Sequence, residues 1–233
     1  MNGLILMTRI PIPGKTKTRL MGLLTGEECA RIHYSFLQDL FSVCDLLKHE
    51  LDIYITYTPE GNLSIIKNII PKYIESFPQQ GEDLGERMGY SINKLLKKYN
   101  KVVLIGTDIP ELQPHHIKEA FDVLDDKDIC LGPTVDGGYY LVGMKNAHDE
   151  IFNNNIIWGK KSVLEGTIDI ANRRGLKVGL SSKCRDIDTK DDLKIFIDKI
   201  KDEKVIWEAY PHNTVSFINS LEEDRINTLQ IGT

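Results

Sequence analysis

The sequence predicts an α/β protein: an open, mostly parallel sheet with helices packed on both of its faces. Two observations predict this. Short runs rich in β-branched and aromatic residues alternate with longer amphipathic runs along the chain, the pattern of successive strand–helix units. The chain also has 233 residues with no repeat or low-complexity linker, a length that suits one sizeable α/β domain.

The elements follow in order. Strands are expected at "LILMT" (4–8), "DIYITYT" (52–58), "KVVLIGT" (101–107), "DICLGPT" (128–134), "GGYYLVGM" (137–144) and "LKVGL" (176–180). Helices are expected over Gly26–Leu47, Leu84–Tyr99, Pro114–Leu124, Lys160–Arg174 and Lys190–Lys201. Thr25-Gly26-Glu27-Glu28 is a capping box that opens the first helix, and Gly175 stands where the fourth should stop. These elements make one domain over residues 1–201. From Asp202 onward the pattern weakens, and 202–233 reads as a C-terminal extension of unknown role. Within it "HNTVSFINSLEEDRI" suits one more helix, with Asn213 or Thr214 as its cap.

Composition narrows the class. Charged residues make up 27% and apolar residues 41% of the chain, ordinary values for a globular protein. A net charge of −5 gives no support for a nucleic-acid binder. The four cysteines, Cys29, Cys44, Cys130 and Cys184, have no C-x-x-C spacing, which argues against a zinc knuckle and suits reduced thiols. "GLILM" is too short for a membrane span or a secretory core. The expectation is a cytoplasmic protein with no nucleic-acid and no membrane partner.

In open α/β sheets ligands sit beyond the carboxyl ends of the strands. Four segments there carry chemistry. The first, "TRIPIPGKTKTRL", contains Gly14-Lys15-Thr16 and resembles the end of a P-loop. That motif needs a glycine five residues before Gly14, where this chain has Arg9. Pro11 and Pro13 have no N–H to give, so a backbone phosphate nest cannot form. What remains is a cationic loop of Arg9, Lys15, Lys17 and Arg19, either a phosphate grip or a solvated turn. The second segment, "GTDIPEL", puts Thr107 and Asp108 at a strand end, where Asp108 is a metal ligand or a turn former. In the third, "GPTVDGGYYLVG", Asp136-Gly137-Gly138 also suits a plain hairpin turn. In the fourth, "CRDIDTKDDL", Asp186 and Asp188 flank one residue, and Asp188 or Thr189 can cap the following helix. A cationic loop with carboxylates at two other strand ends is the minimum for holding a polyphosphate with a divalent cation.

Taken in this order, the segments resemble the nucleotide-diphospho-sugar transferase superfamily, with its single Rossmann-like GT-A domain. "PIPGKTKTRL", "QQGEDLGERM", "GTDIPEL", "GPTVDGGYYLVG" and "DIDTKDDL" resemble, more narrowly, the rSAM/selenodomain-associated transferases, also described as arsenosugar-biosynthesis glycosyltransferase-like. The resemblance runs from about Met1 to Lys199. It implies Mg²⁺ or Mn²⁺ at Asp108 with Asp188 or Asp186, and phosphate binding by Lys17 and Arg19, with Arg9, Gly14 and Lys15 beside them. It implies nucleotide contacts at Gln80, Gly81, Asp83, Gly85 and Thr107. Asp136 and Gly137 would line the acceptor pocket, which Trp158 would border. Lys17, Arg19, Asp108 and Asp136 are then the expected catalytic set. The implied activity is metal-dependent nucleotidyl transfer from a nucleoside triphosphate to a small acceptor. Glycosyl transfer from a nucleotide sugar, and nucleotide binding without catalysis, are the alternatives. His115-His116 is not expected to form a shared metal site, because adjacent helical residues face different sides.

Overall fold

A computed structural model describes residues 2–152 and 163–221 of the chain. The strands are β1 (Asn2–Thr8), β2 (Asp52–Tyr57), β3 (Glu75–Pro78), β4 (Lys101–Gly106), β5 (Ile129–Pro133), β6 (Tyr139–Met144) and β7 (Val178–Leu180). The helices are α1 (Gly26–Leu47), α2 (Leu84–Leu96), α3 (Pro114–Asp126), α4 (Val163–Arg173), α5 (Lys190–Lys201) and α6 (His212–Asn219). All seven strands form one sheet in the order β3-β2-β1-β4-β6-β5-β7. Pairing is parallel except along β6, which runs antiparallel to both β4 and β5.

The central strands are apolar on both faces because helices cover both. Leu4 and Leu6 of β1 enter a core with α1 and α3, and Ile5 between them enters a core with α2. Both cores are fully buried at these positions, and each such Leu or Ile contributes roughly 1.5–3 kcal/mol. A third core joins the carboxyl side of the basic loop (Leu20, Leu24) to α1, α5 and α6.

The helix punctuation is largely local. Thr25 Oγ1 accepts from Glu28 N–H, and Glu28 Oε2 accepts from Thr25 N–H at 2.7 Å, closing the expected capping box. Thr189, not Asp188, caps α5, with Asp192 completing its box. Gly175 ends the α4 turn at φ 73°, a left-handed conformation suited to glycine. The start expected for the fourth helix at Lys160 lies outside the described residues, as does Trp158.

Two features differ from expectation. Strand β3 was not anticipated, because "ESFP" buries only Phe77 and so lacks an alternating apolar signal. The tail helix α6 is not capped by Asn213 or Thr214. Its first N–H groups donate instead to Asp39 of α1, which is itself buried. No helix among the described residues is long and apolar enough to cross a membrane.

Candidate active site

Strand order reverses at β1. The chain steps outward to β2 and β3, then returns to place β4 on β1's other side. Such a switch point opens a crevice beyond the strand ends. A cavity of about 610 Å³ lies there, a volume suited to a small-molecule ligand. Arg9, Lys17, Arg19, Asp83, Thr107, Asp108, Asp136, Asp186 and Asp188 all line it.

Lys17 sits at the centre of its floor. Its Nζ lies 2.9 Å from Asp108 Oδ1 and 2.8 Å from Asp188 Oδ1, and donates to the Ile187 carbonyl at 2.7 Å. Only 3% of the side chain is exposed. Burial works against its charge, but the Asp108 and Asp188 carboxylates outweigh that and raise its pKa above the usual lysine value. The backbone of Lys17 is left-handed, at φ 52°, the one non-glycine among the described residues with positive φ. A lysine held in that sparsely populated region implies that its side-chain contacts fix the loop.

The segment carrying the two other aspartates is strapped across the strand ends. Ile187 N–H donates to the Asp108 carbonyl at 2.9 Å, and Thr134 pairs with Cys184 as an isolated bridge. Ile187 is buried in the third core, so Asp186 and Asp188 on either side of it reach the cavity together.

Asp108 is 43% exposed as a side chain, but its Oδ1 is buried. Burial would raise its pKa. The Lys17 ammonium and His33 overcome this and hold the carboxyl well below the usual carboxylate range. Asp186 goes the other way. Burial, then the neighbouring Asp188 and Asp136 carboxylates, push it up to about 6. A carboxyl raised on folding contributes stability below its unfolded pKa and loses it as pH rises through the folded one. Asp186→Asn is therefore expected to gain more in melting temperature over the wild type at pH 8 than at pH 5. Equal shifts at both pH values would contradict this charge crowding.

His33 was not singled out by the sequence reading. It is a buried residue of α1 whose Nδ1 lies 3.2 Å from Asp108 Oδ1, while Nε2 lies 3.1 Å from Thr8 Oγ1. Thr107 Oγ1 donates to that same hydroxyl, so one polar chain links the ends of β1 and β4 under Asp108. A polar residue inside the apolar stripe Cys29, Ile32, Phe36 and Leu37 was the available signal.

Other expected site residues divide. Lys15 and Gly14 form the exposed turn of the loop and are not on the cavity wall; Lys15 N–H donates to Ile12 O, and Gly14 has φ 71°. Gln80 is exposed, and its neighbour Gln79 is the buried glutamine that lines the cavity, donating to the Thr8 and Thr56 carbonyls. Gly81 adopts φ 134°, and a Cβ there would meet Glu86 Cβ at 2.7 Å. Asp83 caps α2 through Glu86 N–H, while its residue also borders the cavity. Gly85 faces a second, smaller hollow beside Gly89 and Phe152. Arg87 donates to Gly81 O and to Glu60. Asp136 takes part in the turn and also reaches the cavity. Its Oδ1 accepts from Gly138 N–H in the β5–β6 turn, and the residue lines the cavity. The His115 and His116 rings do not face different sides: they lie 4.1 Å apart, tilted by 50°, and His115 pairs with Glu208 away from the cavity. Cys130 is a buried free thiol, as are Cys29, Cys44 and Cys184.

The donor set fits a hard divalent cation. The oxygens of Asp108 and Asp188 that share Lys17 stand within about 6 Å of each other, the two contacts laid end to end. Asp136 and Asp186 line the cavity beside this pair, so the acids outnumber the buried cation between them. Among the described residues no three His, Cys, Asp or Glu side chains are grouped tightly enough to hold an ion by themselves. Substrate oxygens and water would have to complete the shell, as is usual for Mg²⁺.

The fold, with its cavity at the β1–β4 switch point, is that of a nucleotide-diphospho-sugar transferase-like α/β protein. Residues 45–160 match the family described as "Uncharacterized protein conserved in bacteria (DUF2064)". A crystal structure from Desulfovibrio desulfuricans G20, assigned as a nucleotide-diphospho-sugar transferase, is 28% identical, with a TM-score of 0.84 over 98% of this chain and 97% of that one. The 2-phospho-L-lactate guanylyltransferase of Methanocaldococcus jannaschii is 27% identical over 130 residues, 56% of this chain and 54% of the relative. The enzyme of that name from Methanocaldococcus infernus is 28% identical over 143 residues, 60% of this chain and 61% of the relative. The chain thus spans little more than half the length of these curated relatives. A cytidylyltransferase from Leptospira borgpetersenii shares the fold at 13% identity, with a TM-score of 0.52 over 100% of this chain and 98% of that one.

Proposed function

We propose that the chain is a nucleotidyltransferase that moves a nucleoside monophosphate from a nucleoside triphosphate onto a small anionic acceptor. The observation that carries this is the cation distribution at the end of β1. Lys17 neutralises the floor, while Arg9 and Arg19 stand on the cavity wall, with Arg19 65% exposed and reaching Asp188 only at 3.6 Å. A triphosphate carries more negative charge than a nucleotide sugar and gains more from two such guanidinium groups. The likeness to guanylyltransferases supports the same reading.

In the proposed reaction an acceptor oxyanion attacks the α-phosphorus in line. One phosphorus–oxygen bond forms to the acceptor as the bond to the β-phosphate breaks, and pyrophosphate carries away the electron pair. Arg9 and Arg19 bind the phosphate oxygens. Asp108 and Asp188, with Asp186 as the alternative, would hold Mg²⁺ or Mn²⁺, which when bound supplies Lewis-acid stabilisation of phosphate charge. His33 and Thr8 keep Asp108 turned to the cavity. The base would lie beside Gln79 and Asp83, where the walls are formed by Met7, Leu84 and Met88.

Glycosyl transfer is the second reading. Asp136 on the cavity wall favours it, since a carboxylate there can orient an acceptor hydroxyl. Calorimetric titration separates binding preferences. A nucleoside triphosphate with Mg²⁺ is expected to bind more tightly than the matching nucleotide sugar. Arg19→Ala should weaken the triphosphate by roughly 1.5–3 kcal/mol, the scale of bonds to charged groups. Unchanged affinity in that variant would remove Arg19 from the site.

A further inference from the structure

Lys17 Nζ donates to Asp188 Oδ1 and to the Ile187 carbonyl and is ion-paired with Asp108 Oδ1, all within 2.9 Å, so its charge is met on three sides. The group also lies 5.7 Å from the centroid of the Phe36 ring, whose face favours a cation. A lysine so saturated is not free to hold a phosphate, although it lies in the loop that reads as the phosphate grip. It fills the space between the carboxylates that an ion shared by Asp108 and Asp188 would need. We propose that Lys17 is the resident counter-ion of Asp108 and Asp188, and that a divalent cation binds by displacing it.

The inference rests on the reading of these carboxylates as a cation site. Two cations cannot occupy one gap, because their repulsion in a partly buried site is weakly screened. The metal-free protein therefore keeps its acids neutralised and binds the free ion weakly. Displacement frees the ammonium for phosphates only when the ion arrives, so metal and triphosphate are expected to bind as a pair.

Mn²⁺ alone, titrated into the full chain and followed by the electron paramagnetic resonance of the free ion, tests this. Lys17→Met leaves Asp108 and Asp188 without their counter-ion and is expected to bind Mn²⁺ at least about tenfold more tightly than the wild type. A folded Lys17→Met protein that binds Mn²⁺ no more tightly than the wild type, or two proteins that bind none, overturns the proposal. If that variant does not fold, the wild type is treated with formaldehyde and borohydride, and lysine methylation is read by mass spectrometry. Saturating Mn²⁺ should speed methylation of Lys17 at least about fivefold while exposed lysines are unaffected, the change expected of an amine released from buried ion pairs. Labelling at Lys17 that stays slow at saturation overturns it. Turnover with nucleotides is measured separately, so metal-dependent activity combined with either negative result would reject the competition and leave the transferase reading intact.

Discussion

Asp108→Asn is expected to cut turnover by on the order of a thousandfold, because it removes a carboxylate that would hold the divalent cation, and with it the Lewis-acid stabilisation of phosphate charge. The loss should fall on turnover more than on folding. Asparagine keeps the shape of the side chain, and Lys17 retains Asp188 and the Ile187 carbonyl. With Asp108 43% exposed, solvent weakens the ion pair, so the stability cost should be about 1–2 kcal/mol at neutral pH. The sign follows from the depressed pKa: Asp108 contributes stability above the usual carboxylate pKa and loses it as pH falls. The wild-type advantage in melting temperature should therefore shrink in acid. Wild-type turnover by a normally folded Asp108→Asn would show that Asp108 only shapes the turn after β4.

Asp39→Ala is expected to be strongly destabilising although it lies outside the sheet. Asp39 is 3% exposed. It accepts four hydrogen bonds: from Asn213 N–H and Nδ2, each at 2.9 Å, and from Thr214 N–H and Oγ1 at 2.8 and 2.5 Å. Alanine would leave the buried start of α6 without an acceptor, costing about 3 kcal/mol, or roughly 6–12 °C in melting temperature. The effect should reach the cavity. Phe217, Ile218 and Leu221 share a core with Leu20 of the basic loop and Ile187 between the two aspartates. Loosening that core should also weaken triphosphate binding in the variant while it is still folded. A melting temperature within about 2 °C of wild type would contradict the account of α6 as a brace.

The sheet and its helices were legible because their signals are local. A run such as "KVVLI" suits a strand buried on both faces, and "TGEE" carries both halves of its own capping box. β3 was not legible, because an edge strand with one buried side chain leaves no period to read. Gln79 and Gln80 show how one residue matters in extended chain: adjacent side chains point opposite ways, so naming the neighbour reverses inside and outside. The cavity's membership was partly legible, since a cationic loop and aspartates at strand ends are sequence features. Their pairing was not. Lys17 reads as a solvent-facing phosphate ligand until Asp108 and Asp188, far along the chain, are brought to its Nζ. His33 and Asp39 are single polar residues in the apolar stripe of α1, and their partners lie on other elements.

The measurement closest to the central claim follows the products from a nucleotide panel with Mg²⁺ or Mn²⁺ and small phosphorylated or carboxylate acceptors. Nucleoside triphosphates and nucleotide sugars are compared, and pyrophosphate is scored against nucleoside diphosphate. Nucleotidyl transfer requires pyrophosphate from a triphosphate, in an amount equal to the nucleotide joined to acceptor, and its loss in Asp108→Asn. Nucleoside diphosphate released from a nucleotide sugar, with no pyrophosphate from any triphosphate, would contradict it and assign the cavity to glycosyl transfer.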